Sequence, residues 1–148
     1  MMSIKILMPL VLTALSVMTF SSCKDEMAKI VTDESVKDIS GSWKVVQLTR
    51  NGEDLGKRMD LENFKINFKS DGTYTLADQL PFIVDVPGKY VFNDPQYPFS
   101  LILTPEDDKK DIALKFQFPV IAGERQLSLT FSLGCSSNIY QFNFEREN

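Results

Sequence analysis

The chain has 148 residues, with 16 basic and 20 acidic side chains, no histidine and two cysteines. A net charge of -4 argues against a nucleic-acid partner, which would favour a basic patch, and the missing histidine removes the usual general base and the commonest metal ligand. This length suits one domain with its own hydrophobic core.

Residues 1–22 read as a secretory signal: Lys5 near the start, an apolar run from Ile6 to Phe20, then small residues at the cut. The run contains Pro9, Thr13, Ser16 and Thr19 and falls short of the roughly 20 predominantly apolar residues of a spanning helix. Ser21-Ser22-Cys23 resembles the lipobox of bacterial lipoproteins, with Phe20 where leucine is usual. That resemblance implies acylation of Cys23, which becomes the first mature residue, and a lipid-anchored place in the outer membrane, facing the periplasm or the cell surface. One acyl chain binds only marginally, so a stable anchor needs several, as the resemblance implies. An ordinary cleaved signal is the alternative. With Cys23 acylated, Cys135 has no partner for an intramolecular disulfide; it lies between Gly134 and Ser136-Ser137-Asn138, at a turn, with no histidine to activate it.

Residues 23–40 are mostly charged or small and are expected to form a lipidated flexible tether. Lys24-Asp25-Glu26 resembles the charged export signal of surface-exposed lipoproteins of the Bacteroidetes, although a solvated linker carries charge as well. From Gly41 the pattern changes to period two, and residues 41–148 are expected to form the folded domain. Trp43, Val45 and Gln47 alternate with Lys44, Val46 and Leu48, so both faces of this strand have apolar content. Asn51-Gly52 marks a turn, and residues 53–63 suggest a short helix or a lid.

Residues 64–69 alternate strictly and meet 74–76 through Ser70-Asp71-Gly72-Thr73, a strong hairpin signal. Residues 80–88 are apolar but bracketed by Pro81 and Pro87, which suits an edge strand or a packed loop. Strands follow at 89–92 and 99–103 around the turn 93–98. A charged turn leads to three long strands at 112–118, 126–133 and 139–145. Their inward faces are Ile112, Leu114, Phe116 and Phe118; Leu127, Leu129, Phe131 and Leu133; Tyr140, Phe142 and Phe144. One apolar and one polar face per strand is the pattern of antiparallel sheet. About eight such strands with no crossover helix predict an all-β fold, a single antiparallel up-and-down barrel.

Gly41-Ser42-Trp43-Lys44-Val45-Val46 resembles the Gly-x-Trp motif that opens lipocalins and lipocalin-like domains. The resemblance implies that Trp43 closes one end of the barrel and that Arg146 stacks across it. Trp43 as a core residue without ligand contact is the plain alternative. The wider pattern, with Asn51-Gly52, Ser70-Asp71-Gly72-Thr73-Tyr74 and Asp94-Pro95-Gln96-Tyr97-Pro98-Phe99, resembles lipocalin-like lipoproteins of unknown function from gut Bacteroidetes, across residues 39–146. The chain departs from secreted lipocalins in lacking the Thr-Asp-Tyr motif and a helix after the last strand.

No phosphate loop, nucleophile elbow or placed acid–base pair stands out, and no catalytic residue, metal or cofactor is expected. A calcium loop at Asp107, Asp108 and Asp111 is disfavoured by Lys109 and Lys110. The expected function is a non-enzymatic, membrane-anchored lipoprotein that binds a small apolar ligand. Trp43, Phe68, Tyr74, Phe92, Phe116, Phe131 and Phe142 are the candidate lining, although so many rings could instead fill the interior. The alternative is an accessory or structural subunit of a cell-surface assembly, touching a protein partner through Phe82 and Tyr97. Those loops could instead plug the barrel end.

Overall fold

The computed structural model describes residues 34–147 apart from 79, 81, 109, 135 and 136. Residues 1–22, expected to be a signal, together with Cys23 and Cys135, lie outside the described residues. Ten strands follow in chain order: β1 (Gly41–Arg50), β2 (Glu53–Asp54), β3 (Lys65–Phe68), β4 (Thr73–Ala77), β5 (Gly88–Phe92), β6 (Ser100–Pro105), β7 (Ile112–Gln117), β8 (Val120–Ile121), β9 (Glu124–Ser132) and β10 (Ile139–Arg146).

Eight of them close an antiparallel barrel. β1 pairs with β3; β3, β4, β5, β6 and β7 pair in succession; β7 meets β9, β9 meets β10, and β10 returns to β1. Closure removes the exposed edges that an open sheet would leave. The short strands β2 and β8 are flaps hairpinned onto β1 and β9. Both flaps turn on residues with positive φ: Asn51 (51°) with Gly52 (83°), and Ala122 (52°) with Gly123 (89°). Paired left-handed residues match the twist of two-residue hairpins.

The alternation read from the sequence sets the inside and outside of the barrel. In β7, Leu114 and Phe116 are buried while Lys115 and Gln117 face water. In β9 and β10, Leu127, Leu129, Phe131, Phe142 and Phe144 all point into one core.

Several local expectations change. β1 carries a bulge between Val45 and Gln47, so Leu48 rather than Gln47 continues the inward face begun by Trp43 and Val45. One extra residue on one strand reverses the parity of the positions beyond it. Residues 53–63 hold β2 and turns rather than a helix, with Leu55 buried beneath. Residues 82–87 take the second of the two expected forms, a packed loop, and β8 is a strand the sequence pattern did not disclose.

Part of the stretch expected as a tether, residues 37–40, is packed on the barrel. Lys37 N–H donates to the Pro95 carbonyl at 2.8 Å, and Ile39 is 1% exposed. Residues 37–40 are therefore a strap bound to the barrel. A buried isoleucine holds it there through apolar burial.

Candidate functional site

Antiparallel winding sorts the connections onto two ends. One end gathers the strap, the start of β1, the hairpins after β3 and β5, the β7–β9 connection and the end of β10. The other gathers residues 55–64, the 78–87 loop and the turns after β6 and β9.

Trp43 organises the first end. It is fully buried, and its indole N–H donates to the Ile39 carbonyl at 2.8 Å, so the strap is tied across it. Trp43 and Arg146 are direct partners in the β1–β10 register, and the guanidinium carbon lies 5.0 Å from the ring centre. Such a cation–π contact contributes about 0.5–1 kcal/mol where the cation is exposed, as Arg146 is. Phe118 meets Trp43 edge-on at 5.9 Å and carries Arg125 at 5.4 Å on its own ring. A surface groove of about 400 Å³ runs between these stacked arginines, Asp38 and Glu124. Both signs of charge line it, and each cation lies over an aromatic ring. Hydrogen bonds from the Ser40 hydroxyl and N–H hold the Asp38 carboxyl below its ordinary value.

The interior contains most of the residues named as ligand-lining. Trp43, Tyr74 and Phe142 are fully buried, and Phe68, Phe116 and Phe131 nearly so; Phe92 is half-buried. Several of them meet neighbouring rings in the core. Phe68 meets Tyr90 at 4.9 Å and Phe92 meets Phe116 at 4.8 Å. Edge-to-face pairs at these distances contribute about 0.5–1.5 kcal/mol beyond burial.

The mouth at the second end is filled differently. Phe82, expected as a loop contact for a partner, is only 7% exposed and enters the barrel from the 78–87 loop. Its ring meets Phe142 at 5.2 Å, Phe131 at 5.3 Å, Phe64 at 5.8 Å and Phe144 at 6.4 Å. An apolar ring on a loop finds more burial in the barrel than any partner-facing pose would give it before binding. Tyr97, the other expected contact, is 56% exposed.

Beside the plug a cleft of about 380 Å³ opens between Phe64, Leu76, Leu80, Val84 and Val86, with Asp78 and Asp85 on its rim. Within the core, the Tyr74 hydroxyl is buried without a hydrogen-bond partner among the described residues. Burial, then the charges of Asp107, Glu106 and Asp85, push its pKa up to about 12. Among the described residues no group of three or more His, Cys, Asp or Glu side chains could hold a metal ion. In the charged turn, Asp111 accepts from the Thr104 hydroxyl and Asp107 from the Asp108 N–H.

Residues 21–145 match the family described as Domain of unknown function (DUF5004). The chain belongs to this family. The DUF5004 match covers the barrel up to, but not including, the last residue of β10 and begins two residues before Cys23. No curated protein gives a significant match. A closed antiparallel barrel of eight strands in a family of unknown function fits the lipocalin-like resemblance at the level of fold. For Phe82 the plugging alternative stated above fits its burial; sequence reasoning missed the cleft beside it, whose only signal was an apolar loop between two prolines.

Proposed function

We propose that this DUF5004 domain is the folded part of a lipid-anchored, non-enzymatic lipoprotein whose barrel mouth takes a small apolar ligand in place of the Phe82 ring. The observation that carries this reading is the origin of the plug. Phe131, Phe142 and Phe144 stand on barrel strands and Phe64 directly precedes one, whereas Phe82 comes from a loop. Its N–H bonds to the Leu80 carbonyl inside the same loop, at 2.7 Å. Phe82 can therefore leave the core without breaking a ladder hydrogen bond. A ligand entering by the adjacent cleft meets four aromatic rings, and acidic Asp78 and Asp85 at the rim favour a neutral or cationic molecule over a fatty-acid anion.

A thermal-shift screen of the chain from Lys24 onward, against apolar ligands of each charge, tests the pocket. A ligand at 100 times its dissociation constant adds about 2.7 kcal/mol of stability. Phe82→Ala, itself destabilised by about 3–5 kcal/mol, is expected to bind the same ligand more tightly because the plug no longer competes. If neither protein gains stability from any ligand, the pocket reading fails.

The anchor is supported by the signal-like residues 1–22, the small residues before Cys23 and a family match that begins at residue 21. Cys23→Ala is expected to release the protein from the membrane fraction and to abolish labelling by a clickable palmitate analogue. Persistent labelling would contradict acylation at Cys23. The exposure of Tyr97 favours a second reading, an accessory subunit of a surface assembly. Loss of a partner from membrane pull-downs on Tyr97→Ala would support it, and unchanged partners would remove it.

A further inference from the structure

Apolar exposure is not spread evenly over the barrel. Eight large hydrophobic residues are exposed among the described residues: Val36, Val46, Val91, Tyr97, Phe99, Val120, Ile121 and Ile139. Ile139 lies at the mouth, at the start of β10, and Val46 on the β1 bulge. The other six belong to the tryptophan end or the strand edge leading to it. Val36 is on the strap, and Val91 shares a groove with it and Pro95. Tyr97 and Phe99 are on the β5–β6 hairpin, the latter 70% exposed, and Val120 and Ile121 form β8.

The chain also enters the barrel at this end. Glu34 is the first described residue, and the strap is fastened by the Lys37–Pro95 and Trp43–Ile39 hydrogen bonds. Only residues 24–33 separate Cys23 from it, and they reach at most about 40 Å when fully extended. An anchored domain is thereby confined near the bilayer, and the tether is attached on the side that carries the apolar rim.

We propose that the tryptophan end docks on the bilayer that holds the Cys23 acyl chains, with Tyr97 and Phe99 seated at the headgroup boundary. The proposal rests on the lipid-anchor reading above. Tyrosine and phenylalanine with aliphatic neighbours suit that boundary, where burial of a few apolar side chains holds a peripheral surface. The charges at this end do not supply the attraction. Lys37 pairs with Glu34, Asp38 lies near Arg146, and the Asp94 carboxyl accepts from the Tyr97 and Gln96 N–H groups. Docking should therefore need no anionic lipid and should survive salt, unlike a polybasic contact. Tethering makes weak burial sufficient, because the rim meets the membrane as an intramolecular event. With this end turned to the lipid, the plugged mouth faces away from it.

The test uses the full acylated chain in phosphatidylcholine vesicles with brominated acyl chains, which quench tryptophan at contact. Phe99→Trp and Ile139→Trp place a reporter at each end, both at exposed positions. Phe99→Trp is expected to lose at least about half of its added emission, at low and high salt alike, while Ile139→Trp keeps its own. If the vesicles carry the protein on flotation but Phe99→Trp stays bright, the anchor stands and the docking is overturned, leaving the rim to a protein partner. Quenching of both reporters equally would overturn the orientation. Protein that fails to float overturns the anchor and the docking together.

Discussion

Tyr74 shows what a single buried atom does to the energetics of this core. Its ring is fully enclosed, yet its hydroxyl has no partner among the described residues. An unsatisfied buried hydroxyl destabilises by about 1–3 kcal/mol, so Tyr74→Phe is expected to leave stability unchanged or raise it by about 1 kcal/mol in chemical denaturation. A clear loss would mean that the hydroxyl is satisfied by a buried water. The raised pKa has a second consequence. Below pH 10 the phenol is protonated in both states; between pH 10 and about 12 the unfolded chain releases the proton while the folded chain keeps it. Stability therefore drains across that window, and Tyr74→Phe should flatten the alkaline limb of a stability–pH curve. An unchanged limb would place the loss elsewhere, with Tyr90, whose pKa burial also raises, as the next candidate.

At the scale of elements, β5 begins pressed closely against β6. A Cβ on Gly88 would lie 2.3 Å from the Thr104 carbonyl oxygen and 2.9 Å from Pro105 Cα, both backbone atoms of β6 that cannot swing away. Gly88→Ala is expected to destabilise by about 1–3 kcal/mol, measured as a lower denaturation midpoint with an unchanged slope. A neutral result would show that β5 and β6 are farther apart than this packing. Gly88 was visible in the sequence only as part of a Pro-Gly boundary. By contrast β7, β9 and β10 were legible almost residue by residue, because long strands with one wet face must alternate. The first strand was legible in place but not in parity: Val46, Gln47 and Leu48 fit either register until a bulge selects one. The 80–87 loop was ambiguous for a different reason. Apolar residues between prolines suit a buried plug as well as an exposed contact, and only the mouth of the barrel decides between them. The Trp43–Arg146 pair was found through resemblance to lipocalin-like domains; local pattern alone would have left Arg146 as one more charged residue near the chain's end.

The barrel is a closed wall with two unlike ends, and its proposed duties divide the same way. At one end the strap, the indole and a stacked arginine make a lid that is built into the strands. At the other the lid is one phenylalanine on a loop. Ligand exchange should therefore be confined to the mouth. Residues 78–87 and the rings of Phe131 and Phe142 should respond to ligand, while the tryptophan end stays still. Trp43 is the sole tryptophan, so its hydrogen-bonded indole N–H gives one unambiguous resonance at the end expected to be silent. The most direct measurement is a two-dimensional NMR titration of the chain from Lys24 onward with an apolar ligand from the thermal screen. The expected result is progressive shifts at the Phe82 loop and the mouth rings with the Trp43 indole signal fixed. Shifts centred on Trp43, or a folded spectrum unmoved by every ligand tried, would contradict a binding site at the plugged mouth.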